Sequence, residues 1–212
     1  MRIIGGKAKG RRLRTPSKST AKYSDQHIRP TADRAREALF NILGRVVANA
    51  TVLDLYAGTG ALGLEALSRS AEQAVFVDKS PQAIQIIKQN IALCGFSDKT
   101  TVLKGDLAKG LTFLTKQLPG LAFSLVFVDP PYRKGLSAVM LQELAESTIL
   151  LPQSFVIIED DAFTELPAQV AELCCVDYRR YSETGFWFYR QKNSCKNLYR
   201  KGETPWQGPM RE

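Results

Sequence analysis

Short apolar runs alternate with stretches of helical periodicity from residue 51 onward, and this alternation restricts the fold more than any other feature. The runs are Thr51–Leu55, Ala74–Val77, Thr101–Leu103, Phe123–Val128 and Phe155–Ile158, and the helical stretches between them are Ala61–Ser70, Pro81–Cys94, Leu107–Leu118 and Leu136–Ser147. Strands that are apolar on both faces are covered on both sides. The pattern therefore predicts an α/β protein with a parallel sheet between layers of helices.

The last part of this region has a different pattern. A helix is predicted over residues 165–173, followed by two strand-like runs, Cys174–Tyr181 and Phe186–Arg190. The segment Ser182-Glu183-Thr184-Gly185 between these runs is rich in turn-forming residues, so we expect a terminal antiparallel hairpin. Residues 192–212 are polar and irregular and are predicted to form a separate C-terminal tail.

Positive charge is concentrated at the N-terminus. Residues 1–36 contain eleven Lys or Arg and two Asp, a net charge of +9, against +8 for the whole chain of 212 residues. Gly5-Gly6 and Gly10 indicate a short hairpin within this block. A basic block of this kind is typical of a nucleic-acid-binding arm, although a solvated basic tail has the same composition. We assign the arm to residues 1–30, and the candidate phosphate contacts are Lys7, Lys9, Arg11, Arg12, Arg29 and Arg34.

A helix over residues 32–43 is predicted to begin the main domain, which we assign to residues 31–191. Thr31 is the candidate N-cap, and the apolar stripe of the helix ends before Gly44. This periodicity directs Arg34 and Arg36 away from the stripe.

A glycine-rich turn follows the first predicted strand and opens a helix. Gly58, Gly60 and Gly63 match the G-x-G-x-x-G pattern, and Asp78 lies twenty residues after Gly58. The pattern alone permits either NAD or S-adenosylmethionine. Asp54 would face the pyrophosphate of NAD unfavourably, whereas S-adenosylmethionine carries a sulfonium and an ammonium group. The turn residues predicted to contact the cofactor are Tyr56, Ala57, Gly58 and Gly60.

Four acidic residues, Asp54, Asp78, Asp106 and Asp129, end or follow the first four predicted strands. Ligands of open parallel sheets bind beyond the carboxyl ends of the strands. These carboxylates therefore predict a rim suited to a cationic ligand with hydroxyl and amine groups, and we assign all four to S-adenosylmethionine. Helix N-capping is the structural alternative for Asp78 and Asp106.

The most specific motif is Asp129-Pro130-Pro131-Tyr132, directly after the fourth predicted strand. The exocyclic amine of a base is a poor nucleophile because its lone pair is delocalised into the ring. The Asp129 carboxylate and the Pro130 carbonyl can accept its two N–H bonds, and Tyr132 can stack on an extruded base. We therefore predict Asp129, Pro130 and Tyr132 as catalytic residues. A strand-ending Asp-Pro turn with a packed Tyr is the alternative.

These segments together resemble the bacterial small-subunit ribosomal RNA guanine-N2 methyltransferase family. The resemblance covers about residues 1–190, and the segments that carry it are Arg2-Ile3-Ile4-Gly5-Gly6, Lys9-Gly10-Arg11-Arg12-Leu13, Arg29–Leu43, Leu53–Leu67 and Asp129-Pro130-Pro131-Tyr132. Two features depart from the family pattern. Tyr56 stands where the family often has Phe, and residues 193–212 extend beyond its usual end.

The resemblance implies a Rossmann-like, seven-stranded, S-adenosylmethionine-dependent methyltransferase fold whose last two strands form a hairpin. It implies S-adenosylmethionine as methyl donor and a 16S ribosomal RNA guanine as substrate, presented by the small ribosomal subunit. By motif position, Asp54 and Gly58 contact the methionine portion of the cofactor, Asp78 the ribose and Asp106 the adenine amine.

Composition excludes several other classes. No apolar run reaches the roughly 18 residues of a membrane span, and the N-terminus lacks the apolar region of a secretory signal. One histidine and four cysteines without a C-x-x-C pair predict no metal site and free thiols. We therefore expect a cytoplasmic protein, and a monomer. An adenine-N6 DNA methyltransferase, an NAD(P)-dependent reductase and an RNA-binding assembly factor without catalytic activity remain as alternatives.

Overall fold

The computed structural model describes residues 1–16, 30–132 and 134–191, without the side chains of residues 30–32. The chain divides into two compact units, Met1–Gly105 and Asp106–Glu212. Each unit contains strands packed with helices, as the alternating sequence pattern predicted.

The first unit contains three parallel strands in the order β3-β2-β1. Its helices and strands are α1 (Pro30–Leu43), β1 (Thr51–Leu55), α2 (Ala61–Ser68), β2 (Gln73–Asp78), α3 (Pro81–Cys94) and β3 (Thr100–Lys104), with short 3₁₀ helices at Gly44–Val47 and Ser97–Lys99. In the register of the strands, Leu55 lies opposite Val77 and Asp78 opposite Lys104. The central residues of β1 and β2 are buried on both faces, which explains why these strands read as continuous apolar runs.

Local sequence explains the bounds of α3. Ser80 caps its N-terminus by accepting a hydrogen bond from the Ala83 N–H (3.3 Å), and Pro81 occupies the first turn, where a missing N–H costs nothing. Gly95 ends the helix in the left-handed conformation, with φ of 76°. The Ser80 cap and Pro81 therefore fix the position at which the chain passes from β2 into α3.

The second unit contains five strands in the order β4-β5-β8-β7-β6. Its elements are a 3₁₀ helix at Leu107–Lys109, α4 (Thr112–Gln117), β4 (Phe123–Val128), α5 (Leu136–Glu146), β5 (Leu150–Asp161), β6 (Gln169–Val170), β7 (Leu173–Tyr181) and β8 (Thr184–Gln191). Strands β4 and β5 are parallel, whereas the pairs β5–β8, β8–β7 and β7–β6 are antiparallel. The predicted terminal hairpin is confirmed as β7 and β8.

The structure differs from the predicted elements of the second unit in two places. The helix predicted over residues 165–173 is wrong: the short strand β6 pairs there with β7, and the Tyr189 hydroxyl donates to the Pro167 carbonyl at 2.7 Å. This strand raises the described total to eight, one more than expected. The helix predicted over Leu107–Leu118 is interrupted at Gly110, whose φ is 82°.

The N-terminal residues pack on α2 in the first unit. The N–H groups of Ile4 and Gly5 donate to the two carboxylate oxygens of Glu65, both at 2.8 Å, and the Ala8 N–H donates to Ser68 Oγ at 2.9 Å. Arg2 and Arg12 form an antiparallel bridge, as expected for the short hairpin. Residues 1–16 are therefore an integral part of this unit.

Three smaller expectations are corrected. The first helix begins at Pro30, so that Thr31 lies within it. Arg36 is buried rather than directed to solvent, because its guanidinium donates to the Arg2 carbonyl (2.6 Å) and to Asp33 (3.0 Å). Cys94 and Cys175 are free and buried, but Cys174 is disulfide-bonded, so the expectation of four free thiols is wrong.

Within the described ranges, no helix has the length and apolar character that a membrane crossing requires.

Candidate active site

The glycine turn of the first unit joins β1 to α2 in a left-handed backbone conformation. Tyr56, Gly58 and Gly60 have φ values of 59°, 55° and 76°. The Ala57 N–H donates to the Val77 carbonyl (3.0 Å), and the Gly60 N–H donates back to the Ala57 carbonyl (2.7 Å). The turn is thus held against the carboxyl end of β2, where ligands of such sheets bind.

Asp54 lies beneath this turn and is fully buried. Its Oδ2 accepts a hydrogen bond from the Gly63 N–H at 2.9 Å. Only a glycine fits at position 63 in this packing, since a Cβ there would lie 2.4 Å from a ring carbon of Phe76. Burial raises the pKa of Asp54 to about 7; the Gly63 hydrogen bond lowers the pKa, and the nearby charge of Asp78 raises it.

Asp78 holds the turn through two backbone groups. Its Oδ2 accepts from the Gly58 N–H (2.9 Å) and its Oδ1 from the Ser80 N–H (2.8 Å). Capping of α3 belongs to Ser80, so the N-cap explanation does not account for Asp78. Two N–H groups of the turn region, those of Gly58 and Gly63, are therefore engaged by carboxylates. A pyrophosphate at this turn would need such groups as donors, whereas a cationic ligand would not.

Asp106 begins the second unit and is exposed. Its Oδ1 accepts from the Ala108 N–H at 3.3 Å and caps the 3₁₀ helix Leu107–Lys109. The capping explanation weighed for this residue thus applies, and a capping carboxylate retains the capacity to accept further hydrogen bonds.

The D-P-P-Y segment begins directly after β4. Asp129 is partly buried, Pro130 is buried, and Tyr132 is 37% exposed. The Tyr132 hydroxyl donates to Glu159 Oε1 at 3.0 Å, and Thr184 Oγ1 lies 3.4 Å from it. Burial raises the pKa of Tyr132, and the charges of Glu159 and Asp129 raise it further. The hydroxyl is therefore a fixed donor, while part of the side chain stays accessible for stacking.

Asn90 is a site residue that the sequence pattern did not reveal. It is fully buried on α3, and its Nδ2 donates to the Thr59 carbonyl (2.8 Å) and the Arg14 carbonyl (3.1 Å). Its Oδ1 accepts from the Arg14 N–H at 2.7 Å. Asn90 thus ties the N-terminal segment to the glycine turn. A polar residue on the apolar face of a predicted helix was the available signal.

Most of the predicted phosphate contacts lie at the surface. Lys7, Lys9, Arg11, Arg12 and Arg34 are exposed, as is Lys134, whereas Arg29 and Arg133 lie outside the described residues. Because backbone N–H groups of residues 1–16 donate to side chains of α2, the cationic side chains extend from a fixed backbone.

Comparison with known proteins identifies the family. The family model described as conserved hypothetical protein 95 matches residues 1–190. This chain belongs to that family. A candidate rRNA methyltransferase of Bacillus subtilis is 33% identical over 192 residues, which are 91% of this chain and 100% of the relative. The ribosomal RNA small subunit methyltransferase D of Escherichia coli K12 is 35% identical over 167 residues, 79% of this chain and 78% of the relative.

A solved structure described as a candidate methyltransferase from Escherichia coli has a TM-score of 0.76 and 31% identity, and covers 92% of this chain and 99% of its own. The resemblance inferred from the sequence is therefore confirmed at the level of the family. The Rossmann-like S-adenosylmethionine-dependent methyltransferase fold is confirmed as well.

Proposed function

We propose that this chain methylates the exocyclic N2 amine of a guanine in 16S ribosomal RNA, within an assembling or assembled small subunit, using S-adenosylmethionine. We also propose that it acts in the cytoplasm as a monomer. The observation that carries the proposal is the D-P-P-Y segment at the carboxyl end of β4, with the Tyr132 hydroxyl held and part of its side chain exposed. The names of the Bacillus subtilis and Escherichia coli relatives support an rRNA substrate.

Most of the groups proposed to bind the methyl donor belong to the first unit, and two of them, Asp106 and Asp129, belong to the second. S-adenosylmethionine provides an electrophilic methyl on a sulfonium, and the acidic surroundings of the turn fit its positive charge. Asp54 and Gly58 would contact the methionine portion, with Tyr56, Ala57 and Gly60 forming the wall of the turn, and Asp78 would accept from the ribose. Asp106 would accept from the adenine amine, and Asp129 would border the methyl group.

The second unit supplies the groups proposed to hold the acceptor. Asp129 and the Pro130 carbonyl accept the two N–H bonds of the guanine N2 amine, which localises its lone pair and directs it at the methyl. Bound S-adenosylmethionine would supply the methyl group: its carbon–sulfur bond would break as the C–N bond forms, and the electron pair of the broken bond would stay on sulfur. One N2 proton then leaves to Asp129 or to water. Tyr132 stacks on the base, which must leave its helical stack to reach the site.

The test is methyl transfer from labelled S-adenosylmethionine to small-subunit particles, naked ribosomal RNA and DNA, followed by nucleoside analysis. We expect N2-methylguanine from RNA or particles, while label in N6-methyladenine of DNA would overturn the assignment. Asp129→Ala, which removes the acceptor, should reduce turnover by at least about 100-fold with little change in cofactor affinity. Asp98→Ala, at an exposed acid of the first unit, is the matched control. RNA affinity without transfer by any of these substrates would favour an assembly factor instead.

A further inference from the structure

The groups described so far do not distinguish guanine from adenine, because Asp129 and the Pro130 carbonyl could hold either exocyclic amine. The two bases differ at N1, which is an N–H donor in guanine and a lone-pair acceptor in adenine. We propose that Glu159 is the residue that reads N1–H and so selects guanine. This inference rests on the proposed function, since it assumes that the target base meets the D-P-P-Y segment.

The strand register places Glu159 beside Asp129. In the parallel pair of β4 and β5, Val128 lies opposite Ile158, and the next residues of the two strands are Asp129 and Glu159. Neighbouring strands lie about 4.8 Å apart, a separation that an Asp and a Glu side chain can span to reach one edge of a base. Two acidic residues therefore follow this last pair on neighbouring strands, Asp129 directly after β4 and Glu159 within β5.

The side chain of Glu159 is oriented by its neighbours. Its Oε1 accepts from the Tyr132 hydroxyl at 3.0 Å, and Thr184 Oγ1 lies 3.4 Å from the same hydroxyl. The raised pKa of Tyr132 keeps this hydroxyl protonated, so that it acts as a donor to the carboxylate. A carboxylate offers about four lone-pair positions, so that it can accept from Tyr132 and from other donors together. Glu159 is thereby linked to the residue proposed to stack on the base.

The chemistry of the guanine edge fits this pair of acids. N1–H and the N2 amine are adjacent donors, and a carboxylate accepts from such donors without offering one in return. Adenine would direct its N1 lone pair at the same carboxylate, leaving a charged acceptor without a donor, and this mismatch costs more than a lost hydrogen bond. Glu159 would therefore select guanine both by attraction and by rejection of adenine.

The test compares guanine with 2-aminopurine, which keeps the N2 amine but has no N1–H. Each base is placed, in ligated small-subunit RNA, at the nucleotide that the wild-type chain methylates, with reconstitution into particles where naked RNA is not methylated. We expect wild type to prefer guanine in kcat/KM by about 10- to 100-fold. Glu159→Gln, whose amide can accept from Tyr132 and donate to N1 of 2-aminopurine, should lower this ratio by at least about tenfold.

A change in the guanine to 2-aminopurine ratio is not expected from a residue that only supports Tyr132. Glu165→Gln, at an exposed acid of the same unit, is the matched control and should keep the wild-type ratio. Tyr132→Phe keeps the ring but removes the bond that orients Glu159, so it should lower the ratio partially. This variant tests the inference should Glu159→Gln fail to fold.

The outcomes separate this inference from the proposed function. If wild type forms N2-methylguanine but Glu159→Gln keeps the wild-type ratio, Glu159 does not read N1–H and the inference is overturned. If wild type forms no N2-methylguanine on any RNA substrate, the proposed function fails first, and the inference fails with it.

Discussion

Asp54 provides the most direct physical test of the cofactor site, because its carboxyl is fully buried and its pKa is raised from 3.8 to about 7. A pKa unit corresponds to about 1.36 kcal/mol, so a rise of roughly three units corresponds to about 4 kcal/mol. Because the folded-state pKa lies above the unfolded one, the folded chain binds this proton more tightly. The stabilisation is complete at pH values below about 4 and is lost as the pH rises to about 7.

The experiment is equilibrium unfolding in urea, followed by fluorescence, for wild type and Asp54→Asn between pH 4.5 and 8. Asn cannot ionise, and its Oδ1 can still accept from the Gly63 N–H. The free energy of unfolding of wild type relative to the variant should therefore fall by about 3 kcal/mol between pH 4.5 and 7, and level off by pH 8. A relative free energy that is flat over this range would refute the argument that Asp54 is buried with an elevated pKa.

Ligand binding extends the same prediction. A cationic ligand favours ionised Asp54, so the affinity for S-adenosylmethionine should increase as the pH rises towards about 7 in wild type. Isothermal titration calorimetry should show much less pH dependence for Asp54→Asn. Asp98→Asn, at an exposed acid of the same unit, is the control, and it should follow wild type in both assays.

Two further predictions concern the N-terminal segment and its attachment. Asn90→Ala removes three hydrogen bonds to backbone groups. We expect the free energy of unfolding in urea to fall by about 2 to 3 kcal/mol, and calorimetry to show weaker cofactor binding. Unchanged cofactor affinity would show that the Thr59 contact does not shape the turn. Replacing Lys7, Lys9, Arg11 and Arg12 by Gln should lower the slope of log affinity for RNA against log salt by about 3, and an unchanged slope would identify these residues as a solvated surface.

The parts of the fold that the sequence predicted correctly are those fixed by local chemistry. The central strands were recognisable because burial on both faces requires continuous apolar residues. The bounds of α3 followed from Pro81 and Gly95, which act within their own turns. The helix predicted over residues 165–173 failed because the short strand β6 is defined by its pairing with β7, and a pairing partner is not visible in a local periodic pattern.

The buried polar residues of the first unit were missed for a related reason. Glu65 and Ser68 lie on α2 and bind backbone groups about sixty positions earlier in the chain. A signal was nevertheless available, since Ala61–Ser68 is apolar on almost every side and such helices are buried all round. A charged residue in that position must have partners. The choice of Ile4 and Gly5 as those partners depends on tertiary packing.

The contrast between Glu65 and Asp54 shows how a structural acid can be told from a candidate ligand-binding acid. Both are fully buried in the first unit. Glu65 accepts from two backbone N–H groups and from the Arg69 guanidinium (2.8 Å), which neutralises its charge within the fold. Asp54 accepts one hydrogen bond from the described residues, and the nearby Asp78 adds negative charge. A buried charge is tolerated only when it is compensated. Arg69 and two N–H groups compensate the charge of Glu65, and a cationic ligand would compensate the charge of Asp54 in the same way.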